Sequence, residues 1–183
     1  MTGLWRKSSI HPMKRHHEPH PDSVNSRLAR SLSAEREPII NEWLNRIRDD
    51  PRIPTGSLTT EALKNHVPCL LDDLTETLRH YDSETVAERT GSDALVHGTT
   101  RWRQGYALPA MMREIKHLRA ILIRHLQVFE EENEELGIAS RLFVSTTLHA
   151  FLDDVEIDAS RQFLIAGHQA WRETEYWQVS SAA

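Results

Sequence analysis

The stretch HGTTRWRQGYALPAMMREIKHLR, residues 97 to 119, decides the fold of this chain, because it sets a compact polar and aromatic cluster between two helix-like patterns. Before Gly105, His97 and Arg101 stand four positions apart. At about 100° per residue they share one helix face, with Gln104 beside them. After it runs an apolar stripe of Leu108, Met111, Met112, Ile115, Leu118, Leu122, Leu126 and Phe129. Its three- and four-residue steps predict a helix that buries one side and leaves Arg113, Lys116, Arg124 and Gln127 outside. Gly105 suits the left-handed position just past a helix end, and Pro109 suits a first turn, where an amide hydrogen has no partner anyway. The segment reads as two helices joined by a tight corner.

The same periodicity extends in both directions. Leu28, Leu32, Ile39, Ile40, Trp43, Leu44 and Ile47 recur at helical spacing from Val24, with Pro38 ending or kinking an early turn and starting a fresh helix, and with Trp43 as the core anchor. Asp49, Asp50, Pro51, Pro54 and Gly56 make a loop, after which Thr59 or Thr60 caps a helix carrying Leu63, Val67, Leu70, Leu71, Leu74 and Leu78. Pro68 inside that stripe predicts a kink. A weaker pattern with Val86, Gly91, Ala94 and Leu95 strengthens towards His97 and Trp102. The helix after the corner runs to about Glu132, where Glu130, Glu131, Glu132, Glu134 and Glu135 face solvent, oppose the helix dipole and predict a frayed end. The last helix starts after Gly137, carries Leu142, Phe143, Leu148, Phe151, Leu152, Val155, Ile157, Phe163 and Leu164, and continues through Trp171 to Trp177. Alternation of the kind a strand needs never persists. The fold class is therefore all-α, a single bundle of five or six helices.

Composition bounds the rest. A chain of 183 residues, 39% hydrophobic, is long enough for one substantial core, which makes one domain plus a tail the expectation. The tail is residues 1–24, where His11, His16, His17 and His20 lie among Pro12, Pro19 and Pro21 and little can build a core. We expect it to be disordered, the helical domain to occupy 25–179, and 180–183 to be a disordered end. With 27 acidic against 22 basic residues there is no overall positive field to draw nucleic acid or anionic lipid. The single cysteine, Cys69, has Val67, Leu70 and Leu71 as neighbours and is expected to be buried in a protein of the reducing cytoplasm. No apolar run approaches the roughly 18 residues of a membrane span, nor do the first residues form a secretory signal.

Catalytic and metal chemistry finds little support in the pattern. Glu114 and His117 make one Glu-x-x-His unit, but a di-iron bundle wants two. His80, His97, His125 and His149 form no recognisable ligand set, and nothing singles out His66, His97 or His125 as a haem ligand. Cys69 and Ser145 lie in helical patterns without the glycine-flanked turn of an activated nucleophile, so no enzyme is expected. The cluster at the corner has two readings. Arg101 and Arg119 fork onto Glu114, with His97 alongside, in a buried clasp that fixes two helices. Alternatively His97, Arg101 and Tyr106 line a pocket for an anionic ligand.

Several of these residues also carry a resemblance. His97-Gly98, Arg101, Gly105-Tyr106, Leu108, Glu114, Leu118 and Arg119 resemble the signature of the RsbRD amino-terminal domain family, named after an RsbT co-antagonist and also found at the front of bacterial sensor kinases. Trp43-Leu44, Asp50-Pro51-Arg52-Ile53, and His66-Val67-Pro68 with Leu70-Leu71-Asp72 are similar to its earlier stretches, and Phe151-Leu152-Asp153 with Asp158-Ala159 to its closing helix. The likeness covers roughly residues 28 to 165. It implies an all-α input module, related to or shaped like haem-free globin domains, that passes a signal to an output domain without cofactor or catalysis. No output domain follows Trp177 here, so the expectation is either an isolated or truncated input domain or a chain that acts on a separate partner, a sensor kinase or a STAS-type antagonist of a stress-response or two-component pathway. Phe163, Leu164, Trp171, Tyr176 and Trp177 place much aromatic and apolar surface near the C-terminus, which points to a homodimer through the last helix. The competing expectation is a haem- or metal-binding helical sensor.

Overall fold

A computed structural model describes residues 23–64, 66–79, 94 and 96–180, with side chains described to residue 172. The expected disordered segments 1–24 and 180–183, and the weak pattern around Val86 and Gly91, lie wholly or almost wholly outside those residues. The described chain is all-α. Helix α1, Val24–Ala34, starts at Ser23, whose hydroxyl accepts from the Ser26 amide at 3.2 Å. It breaks at Glu35, and α2, Arg36–Asp49, carries Pro38 in its first turn, where the missing amide hydrogen costs least.

Thr59 opens the short α3, Thr60–Lys64, by accepting from the Ala62 amide at 3.2 Å. Helix α4, Val67–Arg79, then corrects one expectation, because Pro68 is its second residue and begins the helix instead of kinking it. Cys69 corrects another: it is exposed, on the face opposite the buried Val67, Leu70, Leu71 and Leu74. Residues 96–103 form α5, followed by α6, Leu108–Glu132, and α7, Ile138–Ser180.

The core lies where α1 packs on α4, α2 on α6, and α6 on α7. Trp43, Ile39, Ile40 and Ile47 from α2 share one core with Met111, Ile115, Leu118, Ile121 and Leu122 from α6. Each such side chain contributes about 1.5–3 kcal/mol on burial. Trp43 is anchored as well as buried, its indole Nε1 donating to the Glu114 carbonyl at 3.0 Å. The acidic end of α6 does not simply fray, since Asn133 donates to the Phe129 carbonyl at 2.6 Å and Arg27 of α1 binds both Asn133 and Glu135.

Helix α7 spans 43 residues, about 65 Å against about 30 Å for the diameter of a small domain. Val144, Leu148, Phe151, Leu152, Val155, Ala159 and Phe163 bury one face of it. Leu142, Phe143, Ile157 and Leu164, expected in the same core stripe, are exposed instead. Phe143, Ile157, Leu164 and Trp171 stand at seven-residue multiples, on a line opposite the buried face. Among the described residues no helix is long and apolar enough to cross a membrane.

Candidate functional site

The corner between α5 and α6 is closed by two backbone bonds, from the Tyr106 amide to the Arg101 carbonyl at 3.1 Å and from the Gly105 amide to the Trp102 carbonyl at 3.0 Å. This is the Schellman arrangement, and it requires the left-handed backbone that Gly105 adopts at φ 78°. Pro109 then starts α6 without needing an amide donor. The two helices are thereby turned so that Arg101 and Glu114, both essentially inaccessible to solvent, face each other.

Arg101 Nε donates to Glu114 Oε2 at 2.7 Å. Its two terminal nitrogens donate to the carbonyls of Ala62 at 3.0 Å and Leu63 at 2.6 Å. Those carbonyls belong to the last turn of α3, which has no further turn to satisfy them, so the guanidinium caps that helix. Gln104 closes the ring, its Oε1 accepting from Arg101 at 2.7 Å. The Tyr106 ring lies against the guanidinium, 5.1 Å from its carbon to the ring centroid, an attractive cation–π contact. Burial, and then the Glu114 charge, push the Tyr106 phenol above its ordinary range, so it stays neutral at physiological pH.

His97 is buried with Nε2 3.5 Å from Glu114 Oε2. Its Nδ1, the Tyr106 hydroxyl and Glu114 Oε1 are the cluster's buried polar atoms without a hydrogen-bond partner. Of the five residues expected at the site, His97, Arg101, Tyr106 and Glu114 come together and Arg119 does not. Arg119 points to α7, where it donates to Asp153 at 2.7 Å and Glu156 at 3.2 Å. Five positions from Glu114, it sits about 140° away around α6.

Two further elements escaped the sequence reading. Asp50, buried at the end of α2, accepts from Arg52 Nε at 2.8 Å and faces His117 Nε2 at 3.1 Å, tying the loop to α6. Its bonds to Arg52, more than that to His117, hold its carboxyl far below the usual range. Gly98 allows α5 to approach α7 by backbone: a Cβ there would lie 2.1 Å from the Ala159 carbonyl oxygen. Both residues stand in the family-like motifs, which was the available signal. Among the described residues no three His, Cys, Asp or Glu side chains gather as a metal-ligand set.

The domain is thus all-α, with a buried ion pair at a helix corner that ties three helices together and a long final helix that exposes an apolar line. The chain belongs to the RsbT co-antagonist protein RsbRD N-terminal domain family, whose model matches residues 37–182. Neither a curated protein nor a solved structure matches it.

Proposed function

We propose that this chain is a non-enzymatic bacterial input module of a stress-response or two-component pathway, acting in the cytoplasm by protein–protein contact through α7. The observation that carries the reading is the exposed line of Phe143, Ile157, Leu164 and Trp171 opposite the buried face of a 43-residue helix. Exposed apolar residues aligned along one helix face mark a surface that another protein covers. Membership of a family named for a co-antagonist supports a regulatory role. A second copy pairs along this line, and a sensor kinase or STAS-type antagonist receives the signal.

His97, Arg101, Tyr106 and Glu114 act in this reading as a structural clasp that joins α3, α5 and α6. The anion-pocket alternative is disfavoured because Glu114 already neutralises Arg101 and both are sealed from solvent. Co-purification of the native chain tests the proposal. A kinase or STAS-type protein should accompany wild type and be lost from Ile157→Glu/Leu164→Glu; its persistence with that variant would remove α7 from the account.

A further inference from the structure

We propose that the valley between the start of α6 and the middle of α7 docks an amphipathic helix of a partner protein that presents carboxylates beside an apolar face. This rests on the reading of the chain as a module working by protein contact and specifies one surface of it.

The valley is floored by Leu108, Pro109 and Met112 from α6 and bounded by Glu156 of α7. Along α6 it runs from Leu108 to Arg119, about 17 Å, enough for three turns of a docked helix. A single small anion would leave most of that apolar floor wet, whereas the apolar face of a helix covers it.

The charges on its two walls differ. On the α7 wall, Glu156 is bound to Arg119, as is its neighbour Asp153. On the α6 wall, Arg113 and Lys116, three positions and nearly one turn apart, line the valley with no ion-pair partner among the described residues. The rim therefore carries uncompensated positive charge on a chain whose net charge is -5. Asp153 and Glu156, spent on Arg119, do not neutralise Arg113 and Lys116. A partner helix carrying its own carboxylates one turn apart does.

The test uses the full chain and a labelled helix-forming peptide of about five turns, with leucines at three- and four-residue steps flanked by glutamates, read by fluorescence anisotropy. The acidic peptide should bind, more weakly as salt rises. Arg113→Glu/Lys116→Glu should weaken it at least about tenfold and bind instead the same peptide with lysines for glutamates. Met112→Glu should weaken both peptides. Circular dichroism and melting of each variant confirm that these surface changes leave the fold intact. Equal binding of acidic and basic peptides, or binding indifferent to the charge reversal, would overturn the proposal. So would conversion of a dimer to a monomer by Arg113→Glu/Lys116→Glu, which would seat a second copy in the valley. A peptide that fails while a kinase or STAS-type protein still co-purifies overturns the valley alone; absence of both overturns the module reading as well.

Discussion

Arg101 and Glu114 meet at 2.7 Å, between Nε and Oε2, in a place that solvent does not reach. Thirteen positions apart on two helices, they are brought together by the glycine corner, and the same guanidinium holds the last turn of α3. Burying such a pair costs desolvation on both sides, so its main product is a fixed arrangement of helices instead of a large net stability.

Removing one partner is a different matter. Arg101→Met leaves a buried carboxylate and two unsatisfied α3 carbonyls, and should cost about 3–5 kcal/mol in urea unfolding. Arg101→Met/Glu114→Leu should cost clearly less than the sum of the two single variants. Additive losses would mean that the pair does not act as a unit.

Gly98 gives a sharper steric prediction. With 2.1 Å between a new Cβ and the Ala159 carbonyl oxygen, Gly98→Ala must push α5 off α7, and a loss of about 1–3 kcal/mol is expected from thermal melting. Gly56→Ala, where a Cβ meets nothing within 4 Å, serves as the control and should be close to neutral.

Acid stability should report Asp50. Its carboxyl titrates lower in the folded chain than unfolded, because Arg52 and His117 bind the ionised form. The stabilisation is therefore fully present above the unfolded value of about 4 and is lost progressively as pH falls below it. Asp50→Asn should lower the melting temperature at neutral pH and flatten its decline below about pH 4. An equal acid decline in wild type and variant would show that Asp50 is not a source of that dependence.

Much of this arrangement is legible in the chain itself. The apolar stripes mark α2, α4 and α6, and Gly105 with Pro109 fixes the corner because few residues suit those backbone positions. Cys69 misleads because residues adjacent in sequence lie about 100° apart on a helix, so apolar neighbours do not imply a shared face. Pro68 misleads because a proline interrupts a helix only after its first turn, and where α4 begins is decided by the preceding turn at His66. Arg119 reads as a partner for Glu114 by charge alone, although five positions is the wrong helical spacing. Helix α7 carries two apolar faces, and periodicity cannot tell which one the rest of the molecule covers.

On the reading proposed above, the exposed apolar face of α7 pairs two copies of the chain. Sedimentation of the full chain across a wide concentration range, beside Ile157→Glu/Leu164→Glu, tests it most directly. We expect a wild-type dimer that dissociates on dilution, and a variant that is monomeric throughout with unchanged helical circular dichroism. A wild-type chain that sediments as a monomer at every concentration would contradict it.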